Sequence, residues 1–220
     1  MRGLAGVAAL VTVLWAVLFL PAWSLDYWQA WVYWALFSAS ISAISVYFLK
    51  NDPSLVESRL KAGPAAETEA HQNLIQALAS AFFILLFVIS ALDRRFHWSS
   101  VPTSLVIASD ALVVMGLLTI FLVFRENTYT SVVIEVSAGQ RVISTGPYKV
   151  VRHPMYTGAL LMLLFTPLAL GSFWGLLAVF PMFGVLAFRL LEEEKFLAKS
   201  LPGYSDYCQK TRYRLVPFVW

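Results

Sequence analysis

The chain has 220 residues, 59% of them hydrophobic and 13% charged, against roughly 45–50% and about 25% in a soluble domain. Sixteen basic and thirteen acidic residues leave a net charge of +3. Disorder is excluded, since it needs low hydrophobicity and high net charge. A soluble globule is excluded because about one domain's length of chain has too little polar surface to cover this much apolar material, which leaves an all-α polytopic membrane helical bundle.

Apolar runs near the ~20 residues that cross a bilayer predict helices over Leu4–Leu20, Trp28–Leu49, Leu74–Leu92 and Val101–Phe124. The first also reads as a signal peptide, with Arg2 before it and Ala22-Trp23-Ser24 as a cleavage site; its length and the spans that follow favour an uncleaved helix. The segment Asn51 to Asn73, with Pro53, Gly63, Pro64 and mixed charges, is expected to be a linker with a short surface helix and a solvated His71. After the polar stretch Arg125 to Arg152, the shorter runs Tyr156–Leu170 and Phe173–Phe188 flank Gly171-Ser172. They predict a C-terminal helical hairpin, kinked or broken at Pro167 and Pro181, and a total of five to six transmembrane helices. The chain thus divides into N-terminal spans, 1–124, and a C-terminal region, 125–220, that holds most of its polar features.

With the N-terminus in the cytoplasm, fourteen of the sixteen basic residues fall inside and only Arg94 and Arg95 outside, which is the bias that sets orientation. Trp23, Tyr27, Trp28, Trp31 and Trp34 surround the first outer turn, where an interfacial aromatic belt is expected. Cys208 is alone and the three histidines are scattered, so neither an internal disulfide nor a metal centre is expected.

Two polar blocks gather after the fourth span, and the hairpin returns them to one face. The first runs Ser144 to Gly158, with a turn at Gly146-Pro147. His153 precedes a proline and is biased to extended backbone; Pro154 suits the first position of a helix. The N–H groups of Met155, Tyr156 and Thr157 at that helix mouth would favour an anion, and the rings of Tyr148 and Tyr156 can face a cation. An amino acid attached to a sulfonium presents both charges; an interfacial helix start with Arg152 on a lipid phosphate fits the same spacing. The second block carries Arg189 and Glu193 on one helical face, with Glu192 near it. Leu201-Pro202-Gly203 opens an amphipathic stretch, and the tail Thr211 to Trp220 is expected to lie on the membrane surface, where it can cover a site.

These residues resemble the isoprenylcysteine carboxyl methyltransferase family. The matching features are Gly146-Pro147-Tyr148, Arg152-His153-Pro154-x-Tyr156-x-Gly158, Arg189 with the Glu192–Glu194 run, Gly203-Tyr204-x-x-Tyr207, and the closing Arg214 to Phe218. The resemblance covers the C-terminal 80 to 90 residues or so. It implies an integral membrane enzyme with a cytoplasmic active site and S-adenosylmethionine as cofactor. Tyr148, His153, Pro154, Tyr156 and Glu193 match cofactor-pocket positions, and Val142-Ile143 a stretch that contacts the cofactor. Arg189 matches the arginine that holds the methyl-accepting carboxylate, and Glu193 would steady Arg189 or bind the cofactor. The implied partners are a lipophilic or prenylated-cysteine substrate and membrane lipids, with no nucleic acid.

Two other readings stand beside this one. Sterol reductases share a similar C-terminal region but use NADPH, whose several phosphates call for more arginines than Arg152 and Arg189. A non-enzymatic membrane protein or small transporter would place polar or ionisable groups inside spans, for which Gln76 and Asp110 are the candidates.

Overall fold

In hydrocarbon a backbone N–H or C=O has no water to bond, so long apolar runs close their hydrogen bonds internally and become helices. The computed structural model describes residues 2–60, 70–129 and 139–220. In chain order its helices are α1 (Arg2–Ala22), α2 (Trp28–Asn51), α3 (Pro53–Leu60), α4 (Ala70–Phe96), α5 (Thr103–Glu126), α6 (Pro154–Ala169), α7 (Leu176–Ser200) and α8 (Tyr204–Lys210). A short 3₁₀ turn, Gly146–Lys149, precedes α6. No strand occurs among the described residues, and the fold is the expected polytopic helical bundle.

Four helices, α1, α2, α4 and α5, are long and apolar enough to cross a membrane. The hairpin adds less than two full spans to these. The 16 residues of α6 rise about 24 Å at ~1.5 Å per residue, short of a hydrocarbon core of about 30 Å. Only the first half of α7 is apolar. The expected breaks at Pro167 and Pro181 are absent: both prolines lie inside their helices. Pro167 falls in the last turn of α6, and its carbonyl accepts the Ser172 N–H at 2.8 Å. The linker contains the short helix α3, whereas residues 61–69 and the His71 side chain lie outside the described residues.

A polar lock that sequence reading missed holds the hairpin tip. Asp93, 1% exposed near the end of α4, accepts hydrogen bonds from the hydroxyls of Ser172 and Ser99, each at 2.5 Å, and from the Ser99 N–H at 2.8 Å. The tip turns at Gly171, whose φ of +73° favours glycine. Tyr27 departs from the interfacial belt assigned to it. It is fully buried, and its hydroxyl donates to the Leu170 carbonyl at 2.7 Å, because that end of α6 leaves carbonyls without helical partners. Trp23, by contrast, is 78% exposed.

The α5–α6 pair positions the mouth of α6 and depends on two glycines. A Cβ on Gly116 would lie 2.6 Å from the Gly158 carbonyl oxygen, and one on Gly158 would lie 2.8 Å from the Gly116 oxygen. Both obstacles are backbone, so no rotamer change relieves them. Such small-residue crossings let membrane helices approach closely. Gly116→Ala is therefore expected to destabilise the protein by about 1–3 kcal/mol, read as a lowered thermal unfolding midpoint in detergent; an unchanged midpoint would show that the helices part without cost.

Candidate functional site

Where α4, α5, α6 and α7 diverge at the end carrying the polar blocks, they enclose a cavity of about 520 Å³. The residues that the family resemblance matches to a cofactor or acceptor position all line it: Val142, Ile143, Tyr148, His153, Pro154, Tyr156, Arg189 and Glu193. So do residues from the N-terminal spans, among them Gln76 of α4 and Phe124 of α5.

The cavity wall is built from α6 outward. His153 is the N-cap at φ −123° and ψ 63°, short of the extended backbone expected of it, and Pro154 is the first residue of the helix, as the missing proline N–H allows. The Thr157 N–H expected at this mouth is committed: it donates to the His153 carbonyl at 3.1 Å. Gly146, at φ +55°, opens the 3₁₀ turn that presents Tyr148. The Asn127 side-chain amide donates to the Tyr148 hydroxyl at 3.0 Å, and the Tyr207 hydroxyl donates to the Tyr148 carbonyl at 2.7 Å. Tyr148 is thus fixed from α8 on one side and from the end of α5 on the other. Burial pushes the Tyr207 phenol above its ordinary range, so it remains a donor.

α7 supplies the charged wall. The Tyr156 hydroxyl donates to Glu193 Oε2 at 2.8 Å, joining α6 to α7. The Arg189 guanidinium reaches the same hydroxyl and donates through Nη1 to Gln72 Oε1 at 3.2 Å. Glu193 and Arg189 thus meet on one tyrosine hydroxyl, and Gln72 of α4 accepts from the arginine as well.

Glu194, the next residue along, faces away from Arg189 toward the C-terminal tail. Its Oε1 accepts from Arg152 Nη1 at 3.0 Å and from His153 Nε2 at 3.3 Å, and its Oε2 from Arg214 Nε at 2.8 Å. Since a carboxylate only accepts, Nε2 of His153 carries the proton in this contact. Burial alone would raise the Glu194 carboxyl, but hydrogen bonds from His153, Arg214 and Arg152 outweigh it and bring it down to about 2.

Arg152 is no lipid-phosphate anchor. Its remaining donors take the carbonyls of Thr211, Cys208 and Arg212 at 2.8, 3.2 and 3.0 Å. Two backbone bonds run alongside, Arg152 N–H to Tyr213 and His153 N–H to Arg214. The tail therefore does not cover the cavity; it braces the start of α6 from behind, and residues 211–220 are absent from the cavity wall. Sequence reading also missed Gln72 and Glu194 as members of this assembly. Gln72, Gln76 and Ser80 recur every fourth residue, which puts them on one face of α4 and was a legible signal. Asp110 stays apart from the cavity, buried in α5, with neither carboxylate oxygen hydrogen-bonded among the described residues.

Residues 105–202, from early α5 to just beyond α7, match the family described as phospholipid methyltransferase, which belongs to the superfamily of isoprenylcysteine carboxyl methyltransferase-type membrane methyltransferases. Among curated proteins, the chain is 32% identical to a Delta(14)-sterol reductase of Mus musculus over 94 residues, 40% of this chain and 22% of that one. It is 29% identical to the cobalt-zinc-cadmium resistance protein CzcN of Cupriavidus metallidurans over 109 residues, 47% of this chain and 48% of that one. The aligned part is thus under half of either relative's length.

Proposed function

We propose, from the match of residues 105–202 to the phospholipid methyltransferase family, that the chain is an integral membrane methyltransferase which uses S-adenosylmethionine and methylates the carboxylate of a lipophilic, isoprenylcysteine-like acceptor. The observation that carries this reading is the single cavity shared by Tyr148, His153 and Tyr156 at the mouth of α6 and by Arg189 and Glu193 on α7. Its volume of about 520 Å³ lies within the ~300–1,000 Å³ of cofactor pockets. The walls fit the cofactor's chemistry: aromatic rings for a cation, a carboxylate at Glu193 for an amine or hydroxyl, and apolar Val142 and Ile143 for a flat base.

When bound, S-adenosylmethionine supplies a sulfonium methyl group. A carboxylate is ionised near neutral pH, so the acceptor needs no general base. The wall matches that requirement: His153, the one histidine lining the cavity among the described residues, has its Nε2–H turned to Glu194. Arg189 orients the acceptor carboxylate, and positioning supplies most of the rate. By the placement of basic residues, the cavity faces the cytoplasm.

The sterol reductase relative keeps a second reading in view, binding of NADPH. The arginines lining the cavity are Arg141, Arg152 and Arg189, and Arg152 is spent on the tail, which leaves little to meet several phosphates. Calorimetry of the purified protein with S-adenosylhomocysteine and, separately, NADPH decides between the two. Micromolar binding of S-adenosylhomocysteine and none of NADPH is the expected result; the reverse would replace methyl transfer with hydride transfer.

A further inference from the structure

We propose that the loop 215–219 is a bilayer-docking element that selects anionic phospholipid: Lys149, Lys210 and Arg212 meet the headgroups while Val216, Phe218 and Val219 enter the acyl boundary. Thr157, one turn into α6, donates its hydroxyl to the Leu215 carbonyl at 2.8 Å. Leu215 and Pro217 also line a second, smaller cavity of about 210 Å³, shared with Pro147, Val150 and Thr119. Thr119 lies seven residues before the end of α5 at Glu126, about 10 Å back along that span at ~1.5 Å per residue. The loop therefore sits beside the ends of α5 and α6 rather than beyond them, at the depth of about 5–10 Å where amphipathic segments embed.

The backbone of the loop closes on itself. The N–H groups of Arg214, Leu215 and Val216 converge on the Trp220 backbone oxygen at 2.8, 3.0 and 3.2 Å, and those of Val219 and Trp220 on the Val216 carbonyl at 3.1 Å each. Leu215, 2% exposed, and Trp220 pack with Tyr156 and Leu190, which pins the loop to α6 and α7. Phe218 takes φ +65°, a conformation that bulky residues rarely adopt. It is left 88% exposed and Val219 78%. Water would penalise that apolar surface, whereas lipid tails would cover it. Charge then selects the lipid. Residues 207–220 contain three basic residues and no acid. Arg214 is taken up by Glu194 and lies over the Trp220 ring at 5.6 Å. Lys210 and Arg212 are exposed, and so is Lys149, next to Val150 of the small cavity. Asp206 sets one exposed acid against these three. Cations beside an embedded apolar segment favour anionic headgroups.

The test uses the full-length protein in nanodiscs, one chain per disc, made of phosphatidylcholine alone or of an equal mixture with phosphatidylglycerol. A nitroxide is attached through Val219→Cys in a Cys208→Ser background, and its collision rates with oxygen and with a water-soluble nickel chelate report its depth. In the mixed discs the oxygen-to-nickel ratio is expected to be about tenfold higher than in phosphatidylcholine and to fall back at high salt, which screens headgroup contacts. Lys149→Gln with Arg212→Gln should bring the mixed-disc ratio down to the phosphatidylcholine value, and Phe218→Ser should lower it in both lipids. The salt comparison needs no change at the charges, so it stands if a charge variant fails to fold. None of these substitutions touches a residue lining the main cavity, so the outcome is separate from the methyl-transfer reading. A label open to nickel in both lipids would overturn the docking; equal immersion in both would overturn the selection of anionic lipid. A label sheltered from both reagents only in discs that hold two chains would make a second copy the occupant and overturn the proposal too.

Discussion

Replacing Arg189 with alanine is expected to lower methyl transfer by about 10²–10³-fold, the scale of losing a preorganised charged donor, while leaving S-adenosylhomocysteine affinity within about twofold. The separation follows from where the side chain reaches. Arg189 is held by Gln72 and touches the Tyr156 hydroxyl, whereas Tyr148, the other ring of the cation-facing wall, is fixed by Asn127 and Tyr207. Tyr156 has its own bond to Glu193, which the substitution does not remove. Arg189→Lys retains the charge but loses the planar fork, so it should recover only part of the rate. Stopped-assay rates at saturating cofactor, beside calorimetry on the same preparations, check both halves. Normal turnover by Arg189→Ala would remove the arginine from acceptor binding; normal turnover lost together with cofactor affinity would make it a cofactor ligand instead.

The spans and the helix mouth were legible from sequence because each depends on local rules. Uninterrupted apolar runs yield α1, α2, α4 and α5, and a histidine–proline step yields the start of α6 at Pro154. The cavity residues were also legible, because the hairpin returns Arg189 and Glu193 to the side where α6 begins. Which acid meets which base was not. Glu193 and Glu194 are adjacent, and about 100° of helical rotation sends one to Tyr156 and the other to Arg152 and Arg214; an acidic run does not reveal its phase against distant elements. The pairing of Gln72 with Arg189 was hidden for a related reason, although the α4 face that carries Gln72 was legible: the two lie 117 residues apart, and pairing between helices so distant in the chain has no local signature. Asp93 was hidden likewise, since an aspartate next to Arg94 and Arg95 reads as an ordinary exposed helix end until Ser172 arrives from the hairpin tip.

Glu194→Ala is expected to be the most damaging single change to the fold of this end. It removes one carboxylate, 12% exposed at the side chain, that serves Arg152, His153 and Arg214 together. Breaking a buried pair strands the surviving charges, at a cost of about 3–5 kcal/mol. The tail should then detach from α6 and lose the backbone bonds that hold it, so that trypsin cuts after Arg212 and Arg214, and His153 should lose the contact that orients it. The pH dependence supplies a second check. The folded-state carboxyl is held at about 2 against an ordinary 4.5, so its contribution is fully present above about 4.5 and is lost as pH falls toward about 2. The thermal midpoints of wild type and Glu194→Gln should therefore differ by a constant amount above pH ~5 and converge as the medium is acidified. Equal midpoints at neutral pH, with the tail still protected from trypsin, would mean that Arg152 holds the tail through its carbonyl contacts alone and that Glu194 is dispensable.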